Sequence, residues 1–362
     1  MKRVVCFITS LTSGGAEHQL ALLSVFLAEK GYDVTLTTFG DSKDHYHVNA
    51  KVKRYIIPHG KSNVSKLIAI WRYFLNVKTD CVISFGAREN FFCLVPLWFR
   101  RRIKILAGER CVSWNGLAWY KKINYKWLYR RADFIVPNSY TQQEEIGESW
   151  PCYKNKVQVI TNYTDTNDYS ATSLPNNEPL KIGIFCRYTA QKNYRRFAKV
   201  VHELKEKCDT PFEIHWYGNM HLNHSLLPDY VEFEGLCHKY HIESSLYLHD
   251  HIQNVAEVLK NFDALCLPSL TEGFSNSISE YICSARPVLC SDVADNKVMV
   301  HDGKNGFLFN PEDIDDMVGA FIKYFSLDED GRKAMGKESR RIAETLFDKN
   351  NFTESYISLI EH

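Results

Sequence analysis

The sequence predicts an α/β protein of two Rossmann-like domains, and three observations carry that expectation. Short apolar runs of buried-strand type alternate with segments of helical spacing along most of the 362 residues, the pattern of βαβ units around parallel sheets. The alternation breaks at residues 167–179, where NDYSATSLPNNEP is polar and rich in turn formers. The chain is also longer than one hydrophobic core usually organises, while its apolar fraction of 45% is ordinary for a globular protein. The expected division is a domain over residues 1–166, a linker over 167–179 and a second domain over 180–345.

Taken in order, residues 3–9 (RVVCFIT) read as a buried strand, and residues 11–19 (LTSGGAEHQ) as a glycine turn entering a helix. Gly14 and Gly15 let backbone approach a ligand closely. The turn is no GxGxxG fingerprint, and a purely structural turn accounts for the same residues. Strand-like runs follow at 34–39, 52–57, 81–85, 103–107, 134–137 and 157–161. Beyond the linker, KIGIFC (181–186) is a strand and 194–207 a helix, with further strand-like runs at 212–217, 246–249, 264–267 and 288–290. No repeat or low-complexity tract interrupts the series.

Residues 267–292, LPSLTEGFSNSISEYICSARPVLCSD, are the most informative stretch. The apolar run FDALCL is broken by Pro268, Ser269, Thr271 and Gly273 before helical spacing begins. Such a strand, loop, helix and strand place a ligand at the carboxyl ends of parallel strands. The first amides of the helix, near Asn276, Ser277 and Ile278, lack intrahelical partners and carry roughly half a positive charge between them. Together with the amide of Ser275 they suit a diphosphate. Glu280, one turn inside the helix, can accept two hydrogen bonds from a ribose diol, and Glu272, ahead of it, can reach sugar hydroxyls. Either glutamate alone is explained as simply by dipole complementation or solvation. Acceptors on both sides of a phosphate point to a nucleotide sugar.

Taken together, these residues resemble the donor site of the retaining GT-B glycosyltransferases of the glycogen-synthase-like group, often called family 4, whose signature is E-x7-E. EGFSNSISE carries it from Glu272 through Gly273, Phe274, Ser275, Asn276 and Ser277 to Glu280, and ARPVLCSDV and HDGKNGFLF resemble the segments that follow in that family. A second family element, a strand ending in G-x-x-x-R and then K-N, appears as KIGIFCRYTAQKN. It gives Arg187 and Lys192, which resemble the diphosphate-binding pair. The GGAE turn at Gly14, with Leu20 in its last place, is similar to that of the same enzymes.

The resemblance implies a GT-B architecture, two Rossmann-like domains facing a central cleft, with residues 346–362 as a C-terminal helix packing back on the first. It implies transfer of a hexose or N-acetylhexosamine, with retention, from a nucleotide diphosphate sugar, expected to be a UDP-sugar. The acceptor would be a hydroxyl of a lipid-linked or polysaccharide precursor, as in bacterial capsule, O-antigen and lipopolysaccharide synthesis. Arg187 and Lys192 would neutralise the leaving diphosphate without a metal, Glu272 would orient the sugar, and Asp250, His251 and Ile252 match the segment that lines the nucleobase pocket. The nucleotide sugar is a co-substrate, and no cofactor is expected. With no double-displacement carboxylate evident, attack from the leaving-group face is expected. Two other readings share the architecture: a nucleotide-sugar 2-epimerase and a non-catalytic sugar-binding protein.

Glu109 and Arg110 follow the strand at 103–107 and are expected near the acceptor or sugar. Many relatives carry a histidine there, whereas this chain reads AGERCVSWNG, so the histidine's role does not transfer. Glu109 either holds hydroxyls or pairs with Arg110.

Charge divides unevenly. Residues 1–165 hold 24 Lys and Arg against 13 Asp and Glu, a net +11 in a chain whose total is +1. Residues 98–131 concentrate cations such as Arg100, Arg101 and Arg102 with Trp98, Phe99, Trp114, Trp119, Tyr120 and Trp127. That composition suits an anionic membrane surface, and no motif points to nucleic acid. The expected location is the cytoplasm, peripheral on the inner face of the membrane, since the start has no signal-peptide pattern and no long apolar stretch follows. The eleven cysteines form no CxxC pair; Cys6, Cys186, Cys266 and Cys290 fall in apolar runs, as reduced core residues do. No metal is expected: His45 and His47 lie in a polar loop, His249 and His251 lack a supporting cluster, and Asp313 and Asp315 suit the first turn of a helix.

Overall fold

The computed structural model describes residues 1–12, 14–40, 46, 48–110, 119–222 and 225–362, apart from the side chains of Tyr120 and Leu222. His45, His47 and Trp114 lie outside the described residues. The chain forms two compact units, Met1–Tyr163 with Lys349–His362, and Thr164–Asp348.

In the first unit β1 (Arg3–Phe7), α1 (Gly15–Glu29), β2 (Asp33–Thr38), β3 (Lys53–Ile56), α2 (Asn63–Asn76), β4 (Cys81–Phe85) and α3 (Ala87–Leu94) follow one another. They continue as β5 (Lys104–Glu109), α4 (Trp119–Lys126), β6 (Phe134–Pro137) and α5 (Tyr140–Ser149). The six strands form one parallel sheet in the order β3-β2-β1-β4-β5-β6. Winding reverses between β1 and β4, the doubly wound arrangement. VVCF and CVISF are buried throughout, as strands covered on both faces must be. Gly86 leaves β4 at φ +114°, a conformation that disfavours any side chain. The expected strand at 157–161 is reduced to a single bridge from Val157 to Ile135. Ile160 N–H reaches only Pro137 O, where β6 itself ends.

The second unit runs β7 (Leu180–Phe185), α6 (Tyr194–Lys207), β8 (Phe212–Tyr217), the paired β9 (His221–Leu222) and β10 (Ser225–Leu226), α7 (Pro228–Lys239) and β11 (Leu246–His249). Then come α8 (Val255–Leu259), β12 (Ala264–Leu267), α9 (Asn276–Cys283), β13 (Val288–Ser291), α10 (Asn296–Met299), β14 (Gly306–Phe309), α11 (Ile314–Phe325) and α12 (Glu329–Leu346). Its parallel sheet, β11-β8-β7-β12-β13-β14, repeats the order of the first when its own strands are counted, and reverses between β7 and β12. Here Gly306 is obligatory, because an added Cβ would stand 1.8 Å from Val288 O. Asp313 caps α11 by accepting the Asp315 and Asp316 amides, which accounts for that acidic cluster.

Residues 167–179 are not a free linker but a strap on the second unit. Arg286, fully buried, donates to Thr172 O at 2.9 Å, Thr172 Oγ1 at 2.8 Å and Lys260 O at 2.9 Å. Arg340 Nη1 donates to Thr166 O, Tyr169 O and Cys283 O at 2.9, 3.0 and 2.7 Å. A guanidinium presents five donors in a rigid fork, so one arginine can hold several carbonyls of an irregular segment. The last helix, α13 (Lys349–Glu361), belongs to the first unit. It buries Phe352, Tyr356, Leu359 and Ile360, and Phe352 meets Phe26 edge-on at 6.2 Å.

Candidate active site

Where winding reverses in a parallel sheet, the loops leaving the two neighbouring strands turn to opposite faces and open a crevice. In the second unit those loops follow β7 and β12. After β7, Arg187 is exposed, with no hydrogen-bond or ion-pair partner among the described residues. The chain then makes a tight turn over Ala190–Lys192, and Asn193, at φ +63°, donates to Pro311 O at 2.8 Å. This turn directs Lys192 inward, where it is buried. After β12, the loop is clasped to its neighbour: Leu270 N–H donates to Gln191 O and Gln191 Nε2 to Thr271 O, both at 2.9 Å. The clasp brings Lys192 Nζ against Glu272 Oε1 in an ion pair whose side chains are only 11 and 12% exposed.

Helix α9 is fixed to the same strand end. Ser277 Oγ donates to Phe185 O at 3.2 Å, and Tyr281 Oη accepts Phe185 N–H at 2.9 Å. Ser275 caps the helix by accepting the Ile278 amide at 3.4 Å, and the first intrahelical bond runs from Ser279 N–H to Ser275 O. The preceding amides therefore have no carbonyl inside the helix, and its positive end stands at the carboxyl edge of the sheet. Phe274 is buried and packs edge-on against Phe347 at 6.3 Å, holding the loop that carries Gly273 and Glu272.

Glu280 is half-buried, and desolvation raises its carboxyl from the ordinary 4.5 to about 7, against the opposing effect of a hydrogen bond from Tyr169. Burial and the Glu280 charge in turn push the Tyr169 phenol upward. Sequence reasoning missed Tyr169, which lies in the supposed linker; only the strap held by Arg286 and Arg340 brings it there.

Asp250, His251 and Ile252 leave β11 at the same sheet edge. Asp250 accepts the His251 and Met220 amides at 2.8 and 3.2 Å, bonds that hold its carboxyl below the usual range. Gly218, after β8, permits a close approach, since a Cβ there would lie 2.5 Å from Cys186 O. His249 stands 3.0 Å from His215 rather than in a metal-ligating group, and no such group of three occurs among the described residues.

The other candidates lie in the first unit. Gly14 precedes α1 at φ −121°, which any residue adopts, but a Cβ there would come 2.1 Å from Glu17 Oε2. Gly15 is the first residue of α1. Beyond β1, Thr9 Oγ1 donates to Glu89 Oε1 at 2.7 Å, and Arg88 pairs with the same carboxylate at 3.1 Å, a cluster sequence reasoning did not anticipate. β5 continues through Glu109, which is buried and accepts hydrogen bonds from Tyr129 Oη and, at 3.3 Å, from Asn90 Nδ2. Burial raises its carboxyl above the usual range, with the Lys121 charge opposing. The ion pair with Arg110 does not form. That guanidinium lies 3.7 Å from the Phe85 ring centroid and donates to Tyr356 Oη at 3.0 Å.

Residues 13–168 match the family described as Glycosyltransferase Family 4, and residues 179–326 the one described as Glycosyl transferases group 1. The N-acetylgalactosamine-N,N'-diacetylbacillosaminyl-diphospho-undecaprenol 4-alpha-N-acetylgalactosaminyltransferase of Campylobacter jejuni is 23% identical over 96% of both chains. Sucrose-phosphate synthase from Thermosynechococcus elongatus superimposes with a TM-score of 0.81 at 15% identity, covering 100% of this chain and 98% of that one. HepE from Anabaena, solved with UDP and glucose, gives 0.81 at 15% identity with full coverage of both. The likeness in fold is to GT-B enzymes, built from two parallel-sheet Rossmann-like domains.

Proposed function

The chain belongs to the glycosyltransferases that join a Family 4 domain to a group 1 domain, and on that premise we propose that it transfers a hexose or N-acetylhexosamine from a UDP-sugar to a hydroxyl of a lipid-linked or polysaccharide-precursor acceptor, with retention of configuration. The observation that carries this reading is the buried Lys192–Glu272 pair beside the open end of α9, at the point where the second sheet reverses. Lys192 and Arg187 neutralise the leaving diphosphate, and the amides of Ser275, Asn276 and Ser277 share its charge. Such fixed groups supply by themselves the charge stabilisation that a metal would otherwise give, so the reaction proceeds without metal or cofactor. Binding the diphosphate draws Lys192 toward phosphate and frees Glu272 to accept a sugar hydroxyl. Glu280 takes the ribose diol, with Tyr169 holding its carboxylate in place, and the chain after β11 (Asp250, His251, Ile252) borders the base. The acceptor hydroxyl attacks from the face the diphosphate leaves, and a departing phosphate oxygen takes its proton.

The relative from Campylobacter jejuni acts, by its name, on a diphospho-undecaprenol substrate. The cationic surface of the first unit supports the same class of acceptor, with the protein peripheral on the inner face of the membrane. No helix among the described residues is long and apolar enough to cross a membrane.

The test is a panel of UDP- and GDP-sugars scored for release of free nucleotide with and without a polyprenyl-diphosphate-linked acceptor. Acceptor-dependent UDP release supports the proposal. Conversion of the donor with no acceptor present would make the protein an epimerase, and binding without turnover a silent binder.

A further inference from the structure

Helix α2 is apolar on two opposite faces. Ile70, Tyr73 and Phe74 are buried in the core of the first unit, whereas Val64, Ile68, Trp71 and Leu75 are 67, 43, 49 and 53% exposed. The exposed set recurs every three or four residues, so it draws one stripe along a helix roughly 20 Å long. Leu75 and Phe99 line a common cavity of about 810 Å³, and Phe99 is 90% exposed. On the other flank a groove of about 990 Å³ runs between α2 and edge strand β3, whose Tyr55 and Ile56 are exposed as well. Scattered exposed apolar residues are ordinary; a contiguous run of them marks a surface that something covers.

The charges around the stripe select the partner. From Lys51 to Thr79 there are seven Lys or Arg and no Asp or Glu, and Arg100, Arg101 and Arg102 follow Phe99 directly. Lys61, Arg72, Lys78, Arg101 and Arg102 are exposed and make no ion pair among the described residues. A second copy docked by the same face would set cation against cation. An anionic lipid surface instead takes apolar side chains below its headgroups and cations among them, the arrangement of an in-plane interfacial helix.

The geometry points to α2, strand β3 and Phe99 as the face by which this protein lies on an anionic bilayer, with α2 in the plane of the interface. This deepens the lipid-linked acceptor reading and rests on it for its biological role. It sets α2 beside the start of residues 98–131, the segment whose composition suits the same surface: Phe99 and Arg100 to Arg102 adjoin the stripe.

Sedimentation of the full chain with vesicles tests the assignment. Binding is expected to phosphatidylglycerol–phosphatidylcholine vesicles, to weaken as salt rises, and to be far weaker to phosphatidylcholine alone. The triple variant Trp71→Ser, Leu75→Ser, Phe99→Ser should lose roughly tenfold or more in vesicle affinity. Lys78→Gln, Arg101→Gln, Arg102→Gln should remove most of the salt-sensitive part. Because these side chains are exposed, unfolding temperatures should stay at the parent value, as should UDP-sugar affinity measured without lipid. Parent protein that ignores anionic vesicles, or a triple serine variant that binds them as tightly as the parent, overturns the proposal. So does a concentration-dependent dimer that the serine variant abolishes. A parent that binds vesicles but no nucleotide sugar sinks the glycosyltransferase reading and leaves the lipid result standing.

Discussion

Lys192 shows how one side chain carries both structure and chemistry. It is buried, and its counter-ion is Glu272 across two loops joined by one backbone bond and one bond from the Gln191 side chain. Removing a cation from an enclosed pair leaves its partner uncompensated, so Lys192→Ala should cost both stability and turnover. Arg187, exposed and without a partner among the described residues, serves as the control: Arg187→Ala should leave the unfolding temperature unchanged and lower kcat roughly 10²- to 10³-fold, the scale of losing one fixed donor to a developing charge. Near-normal turnover in a folded Arg187→Ala, Lys192→Ala double variant would remove both residues from the mechanism. Glu280 adds a pH signature. Its carboxyl is raised to about 7, so the folded state holds the proton more tightly than the unfolded chain does. The associated stability is complete below the ordinary carboxylate range and is lost as pH climbs through about 7. Glu280→Gln should flatten that fall, gaining roughly 2 kcal/mol on the parent between pH 5 and 8 by thermal unfolding. The ribose diol needs the ionised acceptor, so UDP-sugar affinity measured by calorimetry should rise from pH 6 to pH 8 in the parent and stay level in the variant. Tyr169→Phe, which removes a bond to the charged form, should weaken the donor about fivefold at pH 8.

At the scale of elements, the strap decides whether Tyr169 reaches Glu280, and Arg340 is the fastening that holds the Tyr169 carbonyl itself. Arg340→Met leaves three carbonyls without their donor and should cost roughly 2–3 kcal/mol, read as a lower denaturant midpoint with unchanged slope. Donor affinity should fall with it, because Tyr169 loses its backbone anchor. A variant that loses stability but keeps donor affinity would uncouple the strap from the site. This segment also shows where sequence reading stops. β4, β6 and β12 fall where their apolar runs predict, because a strand buried on both faces has no polar position to blur its ends; β8 and β11 do so with alternate or most residues half-buried. Glu272, Glu280 and Lys192 were legible because short-range spacing around a strand end fixes them. Tyr169 was not, since the arginine that holds the strap at Thr172 lies 114 residues away and leaves no local pattern. The burial of Glu109 was hidden for the same reason: Tyr129 and Asn90, its partners, come from other elements. The paired β9 and β10 span two residues each, too short for any periodicity to register.

Over the whole molecule the chain crosses between units twice, at residues 163–164 and 348–349, so the first unit closes only after the second has been synthesised. The closing element is α13, and what holds it can be weighed. Its ion pairs, Lys349 with Glu29, Lys30 with Glu354 and Lys2 with Glu361, are between largely solvated side chains and contribute well under about 1 kcal/mol each. The buried Phe352, Tyr356, Leu359 and Ile360 contribute roughly 1.5–3 kcal/mol apiece on an area basis, so apolar burial dominates. Tyr356 also accepts the Arg110 hydrogen bond and packs 6.1 Å from the Phe85 ring, which ties the last helix to the carboxyl ends of β4 and β5. Truncation after Asp348 should therefore destabilise the first unit by several kcal/mol, whereas a chain shortened only by Glu361 and His362 should unfold as the parent does. In calorimetry the truncated protein should show the first unit melting early and the second unchanged. High salt should not reproduce the loss, as it would if surface charges held the helix. The first unit carries the cationic face, so its early melting should abolish vesicle binding at temperatures where the second unit still binds UDP-sugar.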